Sequence, residues 1–158
     1  MSGGPDRPSN GLVRALLGTR DHFQGLLLRL TLAIVMFPHG AQKVLGSFGG
    51  YGWTGTMGYL TGTIGLPTPL AALVILIEFL APVALLLGFC TRFAAVGIIA
   101  VMAGAIATVH HANGFFMNWS GKQPGEGFEY HILAIGIAAA LLCGGAGMLS
   151  LDRKIAPR

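Results

Sequence analysis

Apolar residues along this chain gather into four long runs, at about residues 25–45, 70–89, 93–111 and 130–147. Each is close to the roughly 20 residues that a helix needs to cross a bilayer, so the pattern predicts four transmembrane α-helices. Pro67 and Pro69 stand where the second run begins, and proline is tolerated in a first helical turn because its missing N–H has no helical partner there. Gly88, Phe89, Cys90, Thr91 and Arg92 make a tight turn into the third run. The other two connections are longer. Residues 47–69 are rich in glycine and carry Phe48, Tyr51, Trp53 and Tyr59, rings that favour a membrane interface. This connection is expected to lie on or dip into the outer surface as a lid. Residues 112–129 have the Gly and Pro content of a loop, which argues against a further span.

Polar residues interrupt these runs where hydrocarbon should exclude them. Arg29, His39 and Lys43 sit in the first run and, at about 100° per residue, share one face with Met36. That stripe must face protein. Glu78 lies roughly 12 Å from the outer start of the second run, one turn before Pro82, and His39 lies about 9 Å from the outer end of the first. Similar depth makes His39 and Lys43 candidate partners of Glu78, while Arg29 lies deeper and can reach towards Glu78 or the inner headgroups. An unpaired carboxylate in a membrane takes up a proton, so Glu78 is expected to be neutral or held by one of these bases, and hence able to move protons. The third run ends in His110 and His111, and the fourth opens on Glu129, Tyr130 and His131. A plainer reading stands beside this one. Buried polar groups can be interhelical glue, worth about 0.6 kcal/mol per bond, and Arg29, Lys43, Arg92, Tyr130 and the loop tryptophans can be interfacial anchors.

Composition agrees with the pattern: the chain is 53% hydrophobic and 10% charged, against about 25% charged in a soluble domain. The net charge of +4 does not point to nucleic acid, because the cations are spread over the ends and short loops without a basic block. Their distribution sets orientation instead. Arg7, Arg14 and Arg20, then Arg92, then Arg153, Lys154 and Arg158 fall on one side, which places both termini in the cytoplasm and the glycine-rich and aromatic loops outside. Residues 1–8 read as a disordered tail, Asn10 as the cap of a short interfacial helix within 1–23, and 154–158 as a basic tail. Cys90 and Cys143 form no CxxC motif and are expected to be small core fillers with free thiols.

Imidazoles near the outer face could ligate a haem or a metal. The spacing does not support it: His110 and His111 are neighbours that point about 100° apart on a helix.

The segments LRLTLAIVMFPHGAQKVLG, FGGYGWTGTMGYL, IEFLAPVALLLGFCTRFAA and GFEYHILAIGIAAALLCGGAGMLSLDR together resemble the DoxX family of small bacterial membrane proteins, over about residues 24–153. The positions that match the family pattern are Arg29, His39, Gly40, Lys43, Glu78, Arg92 and Glu129. The resemblance implies an all-α integral membrane four-helix bundle in the bacterial cytoplasmic membrane. For some members it implies association with redox partners: a related subunit belongs to a thiosulfate:quinone oxidoreductase, and the family is linked to oxidative-stress defence. More distant eukaryotic relatives act as cargo receptors or assembly factors, so the resemblance alone does not fix function.

The resulting expectation is a quinone-interacting membrane subunit of an oxidoreductase system. Glu78 and His39 would be its catalytic pair, with Lys43, Arg29, His110, Glu129 and His131 as cofactor-binding candidates, in a pocket lidded by the Tyr51/Trp53 loop and the 115–119 loop. Lipid, a redox partner protein and a second copy of the chain are the expected partners. The rival expectation is a non-enzymatic helper that binds a protein or lipid.

Overall fold

A computed structural model describes residues 11–19 and 22–156. The expected polar tail, the Asn10 cap, Arg20 and Arg158 lie outside the described residues. Among those described, the elements are all helices: α1 (Gly11–Leu17), α2 (Phe23–Leu45), α3 (Gly52–Gly58), α4 (Thr68–Leu87), α5 (Thr91–Ala105), α6 (Glu129–Gly144) and α7 (Leu151–Ile155). A π turn, Tyr59–Thr63, extends α3, and another, Ile106–His110, extends α5 into a 3₁₀ turn at His111–Asn113. Three helices are long and apolar enough to cross a membrane: α2, α4 and the continuous Thr91–Asn113. The fourth run is shorter than expected. Gly145, at φ +81°, ends α6 after 16 residues, or roughly 24 Å at 1.5 Å per residue.

α2 packs on α4 and α6, and α5 packs on the same two. Their shared core is built largely from small residues, among them Ala33, Ala81, Ala94, Ala95, Ala134 and Ala138, with Leu32, Met36, Leu85, Ile98 and Leu141 between them. Small side chains let helix backbones approach closely, which is how membrane helices gain packing where burial in lipid provides no drive. Leu27, Ile34, Leu73, Leu80, Val96 and Leu133 are exposed on the outside. Helices that are apolar both inside and out belong in a bilayer, not in water.

Backbone contact is tightest at Gly40, where an added Cβ would overlap the Glu78 carbonyl and the Phe79 Cα of α4. Gly40→Leu must therefore wedge α2 from α4. Overpacking of this kind costs about 1–3 kcal/mol, and the expected result is a fall of several degrees in the apparent melting temperature of the purified protein. Wild-type melting would show that the two helices do not meet here.

The first and last described segments converge on one end of the molecule, the tail end. Buried Thr19 accepts from the Gly147 N–H (2.7 Å), and His22 caps α2 by accepting from the Gly25 N–H at Nδ1 (2.9 Å). Asp152, to which the sequence pattern assigns no role, is 2% exposed and accepts from the Cys90 and Thr91 N–H groups at the start of α5 (2.7 and 2.9 Å). A carboxylate there satisfies orphan donors and complements the helix dipole. Burial and this carboxylate push the Cys90 thiol up from its ordinary pKa. The cysteines differ from expectation: both are free, but Cys143 is exposed and Cys90 occupies a left-handed turn (φ 49°), so neither fills the core.

Candidate functional site

At the opposite end, α2 and α4 run side by side and the Gly40 contact sets their register. Lys43, one turn beyond His39, comes level with Glu78, and its Nζ lies 2.5 Å from Glu78 Oε2. The Glu78 side chain is 7% exposed and that of Lys43 29%, so the carboxylate is sequestered and the ammonium is partly open. This pair sits in the wall of a cavity of about 560 Å³ enclosed by α2, α4, α5, α6 and both long loops.

The remaining polar wall comes from α5 and α6. The wider π turn at Ile106–His110 changes the phase of the residues after α5, and His110 reaches the cavity while His111 stays exposed outside it. π turns of this kind recur at functional sites. His110 Nδ1–H donates to the Glu126 carbonyl (2.8 Å), which leaves its Nε2 as the acceptor nitrogen when the ring is neutral. The His131 ring lies 4.0 Å from that of His110, centre to centre, and 5.6 Å from that of Tyr130. His131 is 6% exposed and its Nδ1 has no hydrogen-bond partner. Tyr130 donates its hydroxyl to Met36 Sδ (3.1 Å), and a thioether is a weak acceptor. His39 packs beside it, ring centres 5.9 Å apart.

Most of the remaining lining is apolar. Leu70, Leu73, Val74 and Ile77 of α4 face Ala100, Val101, Gly104 and Ala105 of α5, and Tyr59, Leu60, Leu66 and Met117 cover the loop end. Residues of both loops thus line the cavity, Met117 from within the expected 115–119 segment, whereas Tyr51 and Trp119, each 87% exposed, are not lining residues.

Of the candidates read from sequence, the structure brings together Glu78, His39, Lys43, His110 and His131 around this cavity. Arg29 and Glu129 are not among its lining residues. Arg29 lies at the tail end, 1% exposed, bonded to five main-chain carbonyls. Glu129 accepts from the Met117 N–H and the Trp119 indole (3.0 and 3.1 Å), which ties down the covering loop. Arg92 donates to Leu142 and Gly18 carbonyls (2.9 and 2.8 Å), joining α6 to the segment after α1. Two lining residues escaped sequence reasoning. Tyr130 looked like an interface anchor, and Glu126 sits in a Gly- and Pro-rich loop that carries no periodic signal. Among the described residues, no three His, Cys, Asp or Glu side chains converge to hold a metal ion.

The DoxX family model matches residues 25–111, more than half of the chain. The chain belongs to the DoxX family. Within it, a Bacillus subtilis (strain 168) protein named "Putative oxidoreductase CatD" is 33% identical over 127 residues, which span 80% of this chain and 83% of that protein. No solved structure matches. The segment matched to the DoxX model contains His39, Lys43, Glu78 and His110, whereas Glu126, Tyr130 and His131 of the cavity lie beyond it.

Proposed function

We propose that this DoxX protein is a membrane subunit of a redox system whose cavity binds the head group of a quinone. The carrying observation is the cavity itself: Lys43–Glu78, His39, Tyr130, His110 and His131 share its lining with a larger set of apolar side chains. Its volume of about 560 Å³ falls within the range of about 300–1,000 Å³ typical of pockets for small ligands. A planar dione with apolar flanks fits such a lining. The partnerless His131 Nδ1 and the weakly used Tyr130 hydroxyl are polar groups that a ligand oxygen or hydroxyl would satisfy. The oxidoreductase name of the Bacillus subtilis relative points the same way.

A bound quinone supplies the capacity to take up or release electrons and protons. The chain's own residues supply orientation and protons. Lys43 and Tyr130 offer donors to a ligand oxygen, and Glu78, held by Lys43, is a buried carboxylate that can carry a proton. His131 and His110, in ring contact, line the same cavity and offer ring nitrogens that can exchange protons with a bound ligand.

The same proposal takes α6 as the fourth span of a bundle in the cytoplasmic membrane, with both termini inside, the cavity near the outer face, and electrons coming from a redox partner protein. Lipid extraction of the protein purified in mild detergent tests the quinone reading. Quinone is expected in the wild-type extract and at least about tenfold less with Glu78→Gln or His39→Ala, a loss equivalent to about 1.4 kcal/mol of binding. If no quinone accompanies well-folded wild-type protein, the polar wall serves a non-enzymatic helper and the redox reading falls.

A further inference from the structure

We infer that the cavity admits its ligand sideways from the bilayer, through a cleft between α4 and α5, and that the ligand carries a long apolar tail lying in this cleft over Gly104. The inference rests on the reading above that the polar wall binds a quinone ring. α4 and α5 touch closely at one level: an added Cβ at Gly97 would lie 2.9 Å from Ile77 Cγ2. Two turns further along α5 a Cβ at Gly104 would meet nothing within 4 Å, and Gly104 and Leu73 both line the cavity there.

Leu70 and Leu73 of α4 and Ala100, Gly104 and Thr108 of α5 line the cavity and are also exposed on the outside of the molecule. Residues that border both spaces mark a mouth, and it opens along two helices long and apolar enough to be membrane spans. The one hydroxyl among these five belongs to Thr108, which donates it to the Gly104 carbonyl (2.8 Å). This mouth presents hydrocarbon, which suits a prenyl chain, whereas His39, Tyr59 and Glu126, also lining and exposed, give the cavity polar openings elsewhere. Size leads to the same conclusion. A ring head and the first part of a tail fill about 560 Å³, and the rest of a long chain must leave through an opening.

The test compares menaquinone with menadione, the same ring without its tail, on the full chain in lipid nanodiscs. Gly104→Trp places a bulky side chain in the mouth without a backbone clash. It is expected to weaken menaquinone at least about tenfold more than it weakens menadione, or about 1.4 kcal/mol, and an equal loss of both probes would overturn the lateral mouth. Equal binding of menaquinone to wild type and Gly104→Trp would overturn the lateral mouth and leave the ring site standing. Failure of the wild type to bind either probe would overturn the quinone reading and this inference together. A second measurement does not depend on any variant: menaquinone carrying a photoreactive diazirine in the first tail segment should label peptides containing Leu70, Leu73 or Gly104. Labelling confined to the covering loops would contradict the inference.

Discussion

Arg29→Lys is expected to melt the tail end of this protein and lower its apparent melting temperature more than any other single conservative change. The guanidinium uses all five of its N–H donors: Nε on Ala146, Nη1 on Leu85 and Leu86, and Nη2 on Met148 and Leu149, at 2.7–3.1 Å. Leu85 and Leu86 are carbonyls in the last turn of α4, of which Leu85 also accepts from the Gly88 N–H (3.1 Å), and the other three belong to the irregular segment after α6. Lysine brings three donors on a narrow head and cannot span this fan of acceptors. Each buried carbonyl stranded in this way costs about 1–3 kcal/mol, a large part of the 5–15 kcal/mol that typically separates folded from unfolded states. Thermal melting in detergent reads the loss, and proteolysis should cut first within 145–156. A lysine variant that melts with the wild type would show that these bonds contribute nothing.

The second large effect separates the fold from the site. Lys43→Met leaves the Glu78 carboxylate buried without its cation, and the expected cost lies near the lower end of about 3–5 kcal/mol, because Lys43 is nearly a third open. Lys43→Met combined with Glu78→Leu removes both charges and should restore wild-type melting, since replacing a buried ion pair by apolar side chains is often neutral or stabilising by about 1–4 kcal/mol. Quinone binding should not return with stability. If the double variant melts normally and still binds quinone, the pair is structural glue and the polar wall is misassigned.

Three of the four spans were legible because hydrocarbon imposes a strict length and apolarity, and the cost of an unpaired carboxylate at that depth named Lys43, beside His39 and Arg29, among the possible partners of Glu78. Arg29 was not legible. Its partners are main-chain carbonyls from two distant segments, and no side-chain pattern announces a carbonyl cluster. Asp152 escaped for a related reason: in a run ending LDRKIAPR it reads as solvated, and only the fold brings it to the start of α5. The His110–His131 contact depends on a π turn that changes the helical phase, which a fixed period of 3.6 residues cannot anticipate. Tyr130 and Glu126 became visible as lining residues only when the covering loop closed over the helices.

The most direct measurement is a cryo-electron microscopy structure of the chain, enlarged by a rigid binding fragment and reconstituted in lipid nanodiscs with added menaquinone. The account predicts planar density between the Lys43–Glu78 pair and His131, within hydrogen-bond distance of at least one of Lys43, Tyr130 and His131. A cavity holding only water or disordered lipid at saturating menaquinone would contradict it.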